Sequence, residues 1–272
     1  MIVCFEGIDG SGKSTQAELL VKAINRKCIE SNKKPNAIYF SITDYAYLVN
    51  ETCNVTVLSL ADNETTAVKF LNKDLIKQDV IINICTKIQK TLTLLKRNKE
   101  NGVGQNYLFD QLATGYLDLA RELKNILKTF NNQDYIIILD RWLWSTLAYN
   151  SANIGCIFNQ ILNDPINPSS SSMLLKELTK NIIEPDLLFY FNIDKSKAKM
   201  LRNSRGLTDE VLENNEYQDS VRQSYEMILE AINSEYKVNE IYPKKIVRVD
   251  VNDRSIKDIH NEVMNVFRAN RI

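Results

Sequence analysis

Residues 2–15 read IVCFEGIDGSGKST, and this stretch decides the fold. A short apolar strand pattern leads into G-x-x-x-x-G-K-[ST], and a helical pattern follows over residues 16–29. The glycines let the backbone bend so tightly that successive N–H groups point at phosphate oxygens, and a helix beginning there adds its positive end. Lys13 supplies a cation, and the Ser14 hydroxyl can ligate Mg²⁺. The segment therefore predicts a site for a nucleoside triphosphate; a glycine-rich turn with a chance Lys-Ser is the alternative.

The composition argues against several classes of protein. The 272 residues carry 34 Lys and Arg against 34 Asp and Glu, so the net charge is zero and no strongly basic nucleic-acid-binding surface is expected. The five cysteines form no C-x-x-C pair, which argues against a disulfide framework or a zinc site. The sequence has no apolar run of bilayer length, and because a strand pattern begins at residue 2 we expect no signal peptide. We therefore expect a cytoplasmic protein without a nucleic-acid or membrane partner.

Strand patterns alternate with helical patterns along the chain. Apolar, β-branched runs such as residues 135–139 are typical of buried parallel strands, and their alternation with helices predicts a parallel sheet covered on both faces. The Pro-, Asn- and Ser-rich residues 163–172 predict a surface loop. We therefore expect one α/β domain over residues 1–272, a three-layer sandwich around a five-stranded parallel sheet. The predicted strands are 2–5, 36–42, 135–139, 187–191 and 246–249, and the predicted closing helix is 255–267.

A second candidate site follows the third predicted strand. Asp140 lies where that strand ends, and ligands of open α/β sheets bind outside the carboxyl ends of the strands. A carboxylate there can hold Mg²⁺ beside the phosphate loop, and the guanidinium of Arg141 can bind phosphoryl oxygens through two hydrogen bonds. A helix-capping Asp followed by a surface Arg is the alternative. The phosphate loop upstream favours the functional interpretation.

A third candidate is the arginine pair in RNSRG, residues 202–206. Arg202 and Arg205, close together beside a glycine, predict a cationic lid segment over about 200–215. Arginines that close over a site neutralise the charge that develops during phosphoryl transfer, and they exclude water. A solvated, charged helix end is the alternative interpretation.

Taken together, these motifs resemble those of thymidylate kinases. The similarity lies in FEGIDGSGKSTQ at residues 5–16, DRWLWSTLAY at 140–149 and PDLLFY at 185–190. Weaker similarity lies in the Y-x-x-x-V-R-x-x-Y spacing of 217–225 and in VDVNDRSI at 249–256. The resemblance implies the P-loop NTPase fold with a lid segment, and a homodimer. It also implies transfer of the ATP γ-phosphoryl group to dTMP, which gives dTDP and ADP, with Mg²⁺ as cofactor.

The resemblance implies a role for each matched residue. Lys13 would hold the ATP phosphates, Arg141 would bridge the donor and acceptor phosphates, and Asp9 would contact the sugar 3′-hydroxyl of the acceptor. The implied catalytic residues are Lys13, Asp140, Arg141, Arg202 and Arg205, and the implied magnesium ligands are Ser14 and Asp140. ATP would also be bound by Gly7, Gly10, Ser11, Gly12, Ser14, Thr15, Asn252 and Arg254. The acceptor would be bound by Asp9, Leu117, Arg121, Arg141, Ser145, Thr146 and Tyr149.

The chain departs from the family pattern in four places, one of which is DEVLE at 209–213 in the lid segment, where the family has Asp-Arg-x-x-Glu. SITDY follows the second strand at 41–45, where the family carries an Arg-Glu-Pro segment whose Arg binds the acceptor phosphate. Leu117 replaces a phenylalanine that stacks on thymine, although Arg121 of the same pattern is kept; a leucine offers apolar contact without stacking. Residues 43–107 are longer than the corresponding family segment, and their pattern predicts a largely helical insertion. These departures leave open a kinase of another deoxynucleoside monophosphate or of a deoxynucleoside, and, from a different class, a nucleotide-binding module without turnover.

Overall fold

The computed structural model describes residues 1–31, 37–41, 136–154, 185–204, 215–233 and 243–270, together with the isolated positions 87, 91, 111, 114, 115, 118, 121 and 124. The predicted insertion at 43–107, apart from positions 87 and 91, lies outside these described residues. So do Leu117, Arg205 and most of the predicted lid segment.

The described strands form one parallel sheet of five strands in the order β2-β3-β1-β4-β5. The predicted α/β architecture, with a five-stranded parallel sheet flanked by helices, is thereby confirmed, and each predicted strand end agrees within one residue. The strands are β1 (Ile2–Glu6), β2 (Ala37–Ser41), β3 (Ile136–Asp140), β4 (Leu187–Asn192) and β5 (Ile246–Asp250).

The central strand β1 is buried between its two neighbours. Phe5 of β1 is aligned with Asp140 of β3 on one side and with Phe189 of β4 on the other. The Phe5 ring lies 5.2 Å from the ring of Phe189 and 5.6 Å from that of Phe191, measured between centroids. Burial of this kind explains why residues 2–5 are an unbroken hydrophobic run. The carboxyl ends of β1 and β3 therefore lie side by side, at the edge of the sheet where the phosphate loop begins.

Five described helices accompany the sheet. Helix α1 contacts β1, β2 and β3, α1 also contacts α5, and α2 contacts α4. None of these helices has the length and apolar character needed to cross a membrane. The helices are α1 (Lys13–Glu30), α2 (Leu143–Ile154), α3 (Lys195–Asn203), α4 (Asn215–Asn233) and α5 (Ile256–Ala269).

The last helix shows how local sequence specifies an element. The hydroxyl of Ser255 accepts a hydrogen bond from the backbone N–H of Asp258 at 3.1 Å, so this serine caps α5. Ile259, Val263 and Phe267 follow at four-residue spacing and are all buried. The predicted amphipathic closing helix is therefore present, and it ends two residues later than the pattern predicted.

Candidate active site

The phosphate loop, residues 7–14, connects β1 to α1 and has the backbone conformation that its glycines predict. Gly7, Gly10 and Gly12 have φ values of +146°, +86° and +83°, a range that residues with a side chain rarely adopt. Lys13 begins α1, is only 5% exposed, and donates from Nζ to a loop carbonyl oxygen 3.3 Å away. A buried cation therefore stands at the amino end of a helix, where anions are favoured.

Gly10 and Gly12 offer a matched pair of stability tests. A Cβ added at Gly10 would lie 2.6 Å from the carbonyl oxygen of Ala198 in α3, whereas one added at Gly12 meets no described atom within 4 Å. We expect Gly12→Ala to cost roughly the 1–2 kcal/mol of a left-handed backbone, and Gly10→Ala to cost more than that because a backbone atom must also move. Urea unfolding measures both losses, and equal losses would contradict the packing of the loop against α3.

The carboxylate of Asp9, inside the loop, is the acceptor on which several elements converge. It forms an ion pair with Arg141, and it accepts hydrogen bonds from Tyr149 Oη at 2.9 Å and Gln218 Nε2 at 3.1 Å. Lys13 Nζ lies 3.7 Å away. Burial alone would raise the pKa of Asp9, but the charges of Arg141 and Lys13 outweigh it and hold that pKa well below its usual range. Asp9 is therefore ionised, and because 31% of its side chain is exposed it can still contact a ligand.

Arg141 stands immediately after β3 and is held on several sides. Its Nη1 donates to the Gly7 carbonyl at 3.3 Å and to Ser145 Oγ at 3.4 Å, while its Nη2 donates to Asp9 and to Tyr149 Oη at 3.2 Å. Its Cζ also lies 5.1 Å from the centre of the Tyr149 ring. Burial alone would lower the pKa of Arg141, but the Asp9 carboxylate keeps it well above its usual value. A permanent positive charge is thus fixed beside the phosphate loop.

Arg202, one of the two predicted lid arginines, contacts the same loop. It lies near the end of α3, is 4% exposed, and its Nη1 donates to the backbone carbonyl of Asp9 at 2.8 Å. The structure therefore brings Arg202 together with Lys13 and Arg141 around Asp9. The role of Arg205 stays a prediction, since that residue lies outside the described part of the chain.

The predicted magnesium ligands are chemically compatible with that ion. Asp140 ends β3 and is 2% exposed, and Ser14 follows Lys13 in the first turn of α1. No cluster of three or more His, Cys, Asp or Glu side chains suited to a metal occurs in the described ranges. This donor set fits Mg²⁺, which is commonly held by one or two carboxylates together with substrate phosphates and water. Ser11 Oγ is buried without a hydrogen bond to any described residue, so its hydroxyl is available to an oxyanion in the loop.

The predicted adenine-contacting turn follows β5 and is tied to two helices. Asn252 Oδ1 accepts from the backbone N–H of Asp194, the residue before α3, at 3.0 Å. Arg254 Nη1 donates to Glu262 of α5 at 2.5 Å. These contacts order the turn, and its contact with adenine stays a prediction.

Only some of the remaining predicted binding residues lie at the site. Ser145 and Tyr149 both touch Arg141, as described above, so the structure brings them to the site. Arg121 is helical and 51% exposed, and among the described residues it forms an ion pair with Asp118 at 3.5 Å. Thr146 lies in α2, but its side chain is outside the described part, and Thr15 lies half-buried in the first turn of α1.

Four polar residues at the site were not predicted. Gln218 of α4 accepts from the Asp9 backbone N–H at 3.1 Å while donating to the Asp9 carboxylate. Tyr217 donates to the backbone carbonyl of Tyr149 at 2.9 Å. Tyr225 Oη donates to Glu6 Oε2, also at 2.9 Å. Burying a carboxylate at the end of an apolar strand costs free energy unless it has hydrogen-bond partners. The position of Glu6 directly after the apolar residues 2–5 could therefore have indicated a functional residue. Gln218 carried no such indication, because polar residues are ordinary on a helix.

The chain is similar to known proteins in sequence and in fold. A sequence profile for the thymidylate kinase family matches residues 115–263, which is more than half of the chain. The chain is 27% identical over 270 residues to the thymidylate kinase of Leptospira interrogans serogroup Icterohaemorrhagiae serovar copenhageni, covering 99% of this chain and 95% of that relative.

Solved structures give the same fold. The thymidylate kinase from Candida albicans has a TM-score of 0.56 and 19% identity, covering 99% of this chain and 92% of that chain. The thymidylate kinase from Ehrlichia chaffeensis has a TM-score of 0.51 and 18% identity, covering 98% of both chains. The fold, the extent of the profile match and the phosphate loop with its converging arginines lead to one conclusion: the chain belongs to the thymidylate kinase family, whose members are nucleoside monophosphate kinases.

Proposed function

We propose that the protein transfers the γ-phosphoryl group of ATP to the 5′-phosphate of dTMP, giving dTDP and ADP. The observation that carries the proposal is the guanidinium of Arg141, which lies against both Gly7 and Asp9 of the phosphate loop. A cation in that position can meet the phosphates of a donor in the loop and of an acceptor beside it. Membership of the thymidylate kinase family supports dTMP as the acceptor.

In the proposed reaction an oxygen of the dTMP phosphate attacks the γ-phosphorus of ATP. A new P–O bond forms to that oxygen, the bond from the γ-phosphorus to the β,γ-bridging oxygen breaks, and ADP leaves with the electron pair. The attacking oxygen is already anionic, so no general base is required. Catalysis then depends on positioning and on stabilising negative charge, which Lys13, Arg141 and Arg202 supply.

Mg²⁺ is proposed as the cofactor, with Ser14 and Asp140 as the residues that would hold it. When bound, the ion would neutralise negative charge on the nucleotide phosphates. Asp9 and Tyr149 would orient the acceptor: the ionised Asp9 carboxylate can accept from the sugar 3′-hydroxyl, and its partial exposure leaves room for that contact.

The setting of the enzyme is also a proposal. We infer one domain over residues 1–272 acting in the cytoplasm as a homodimer, on small-molecule nucleotides rather than on nucleic acid or membranes. The scattered cysteines support the cytoplasm, the balanced charge argues against a nucleic-acid partner, and the dimer rests on the family resemblance alone. Analytical ultracentrifugation over a range of concentrations tests the dimer, and a single monomeric species would contradict it.

The proposed function is tested by ADP release from Mg-ATP against a panel of acceptors. The panel contains dTMP, the other deoxynucleoside monophosphates and thymidine, and Lys13→Ala serves as the blank. Turnover highest with dTMP supports the proposal. Preference for another acceptor would move the specificity while keeping the reaction. Measurable ATP binding without turnover on any acceptor would instead support a nucleotide-binding module.

The buried lysine predicts a pH dependence of ATP binding. Burial and the like charge of Arg141 lower the pKa of Lys13 to about 8, although Asp9, Asp140 and Glu6 favour the charged form. Above that pH the free protein loses the Lys13 proton, whereas the bound phosphates need the cation. We therefore expect the Kd of ATP to rise by up to about tenfold per pH unit above pH ~8, with proton uptake on binding.

Isothermal titration calorimetry between pH 6.5 and 9.5, in buffers of different ionisation enthalpy, measures both quantities. Lys13→Arg is the matched control, because a guanidinium stays charged over this range and its pH profile should be flat. A wild-type Kd that does not change with pH would show that Lys13 keeps its proton.

A further inference from the structure

Glu6 is a buried carboxyl group to which the proposed reaction assigns no role. It is the last residue of β1, directly precedes the phosphate loop, and is 0% exposed. A carboxylate is costly to bury unless its oxygens accept hydrogen bonds. The partners of Glu6 therefore indicate what the residue does.

The Glu6 carboxylate accepts hydrogen bonds from two different helices. Oε1 accepts from the backbone N–H of Trp142 at 2.8 Å, and Oε2 accepts from Tyr225 Oη at 2.9 Å and from Ser145 Oγ. Trp142 directly precedes α2, and Ser145 is the third residue of that helix. Glu6 therefore accepts a hydrogen bond from a backbone N–H at the amino end of α2, as the carboxylate of a capping box would. Here, however, the carboxylate comes from a distant strand. Glu6 thus ties the phosphate-loop strand to the start of α2.

The contact with Ser145 determines the direction of a chain of hydrogen bonds. A serine hydroxyl has one proton, and Ser145 Oγ donates it to Glu6. Tyr225 Oη lies 2.7 Å from Ser145 Oγ and donates to the same Glu6 oxygen, so both hydroxyl protons lie on the Glu6 side of Ser145. The Ser145 oxygen can then only accept, and Arg141 Nη1, which can only donate, lies 3.4 Å from it. The chain therefore runs from Arg141 through Ser145 to Glu6.

The contact with Trp142 acts on the same arginine through the backbone. The Trp142 N–H belongs to the peptide bond that directly follows Arg141, and Arg141 has a φ of +66°. A residue with a side chain keeps such a conformation only where its surroundings hold it. Glu6 therefore contacts both the peptide group that follows Arg141 and the Ser145 hydroxyl that contacts the Arg141 guanidinium.

We propose that Glu6 is a positioning residue for Arg141. Its carboxylate accepts the hydrogen bond that the Ser145 hydroxyl donates. The Ser145 oxygen can then accept a hydrogen bond from the guanidinium, and this contact fixes the direction in which Arg141 meets phosphoryl oxygens. The inference rests on the proposed function for its effect on rate, but the arrangement of Arg141 can be observed independently of activity.

Glu6→Gln tests the proposal with little change in volume. If the amide oxygen keeps the Trp142 N–H, the amide NH₂ faces the hydroxyls of Ser145 and Tyr225, and both lose their acceptor. Only one of the two hydroxyl protons can lie in the 2.7 Å contact between them, so the other must point elsewhere, and the Ser145 proton can then oppose the donor of Arg141. We expect kcat with Mg-ATP and dTMP to fall roughly 10²-fold, as for a misplaced catalytic group, while the KM of ATP changes little. An unchanged kcat in the folded variant would overturn the proposal.

Asn25→Leu is the matched control for loss of a buried polar contact. Asn25 is also 0% exposed. Its side chain accepts from the Ala37 backbone N–H at 3.0 Å and donates to the Ala37 carbonyl at 3.3 Å, which connects α1 to β2. We expect this variant to melt at a lower temperature with kcat unchanged. A matching fall in kcat would mean that general destabilisation explains the Glu6 result.

Ser145→Ala provides a second route, should Glu6→Gln not fold. It removes the intermediate hydroxyl while Glu6 keeps the Trp142 and Tyr225 donors, and we expect a similar fall in kcat. Adding Glu6→Gln to Ser145→Ala should then cost little more, because the two residues act in one chain. Full kcat in Ser145→Ala, or additive losses in the double variant, would overturn the proposal.

Crystal structures of the wild type and of Glu6→Gln or Ser145→Ala provide the activity-independent test. We expect the Arg141 guanidinium to leave its contact with the loop in either variant. An unmoved guanidinium overturns the positioning role, even if the wild type does not phosphorylate dTMP. If the wild type does not turn over dTMP, that result contradicts the proposed function but not the role of Glu6. The role of Glu6 is then decided by the position of the Arg141 guanidinium in the crystal structures.

Discussion

Lys13→Ala is expected to lower kcat by at least roughly 10³-fold, at or above the upper end of the cost of removing one charge-stabilising donor. The lysine is the cation of the phosphate loop, and no other described lysine contacts Asp9. The fold should survive. Burial lowers the pKa of Lys13, which means that its charged form is disfavoured there, so removing it should leave the melting temperature unchanged or slightly higher. Steady-state kinetics and thermal melting measure the two effects.

Lys22→Ala is the control for that experiment. Lys22 lies in the same helix but is exposed, so its removal should leave both kcat and the melting temperature near the wild-type values. Wild-type turnover in Lys13→Ala would reject the loop as the ATP site. A collapse of the melting temperature would instead show that Lys13 is needed for folding.

Arg141→Ala is expected to lower kcat by about 10³-fold or more, the range seen when an arginine that stabilises a transferring phosphoryl group is lost. The Kd of ATP should change far less, because Lys13 and the loop amides remain. The Asp9 carboxylate would keep Lys13, Tyr149 and Gln218 as partners, so the loop should stay ordered. Stopped-flow or quenched-flow turnover, with ATP binding measured by calorimetry, separates the two quantities. An unaltered kcat would reject the bridging role.

Two further substitutions at position 141 separate the side chain from the backbone. Arg141→Gly removes the same guanidinium as Arg141→Ala but tolerates the φ of +66° without strain, so it should be the more stable variant with an equally low kcat. Arg141→Lys keeps a charge but cannot reach Gly7, Ser145 and Asp9 together, and we expect it to recover only a small part of the lost rate. Activity restored by Gly would show that backbone geometry, and not the guanidinium, limits the rate.

Much of the fold could be predicted from short segments. Buried parallel strands are continuous apolar runs, and the runs at β3 and β4 were placed within one residue of their observed ends. The phosphate loop is defined by glycines at fixed spacing, and Gly10 and Gly12 have the positive φ values that the spacing implies. Such features depend on a few neighbouring residues, and local sequence is sufficient to specify them.

The candidate site could be predicted only in part. Lys13, Asp140 and Arg141 could be proposed from the sequence because each lies at a strand end or in the loop, positions at which a parallel sheet collects ligand-binding groups. Their partners could not be found in that way. Whether Asp9 would be ionised, for example, depended on whether the guanidinium of Arg141, 132 residues away in the sequence, packed against it.

The sequence by itself determined the loop, the five strands and the carboxyl edge of the sheet where ligands should bind, because periodicity and glycine spacing are properties of short segments. Only the tertiary structure decided that Gln218 contacts Asp9 and that Tyr225 contacts Glu6, at sequence separations of 209 and 219 residues. Such pairs form when whole helices pack against the sheet, and the free energy of that packing comes from apolar surface spread over the core rather than from the paired residues. A polar residue on a helix therefore carries no local sign of the partner that it will meet.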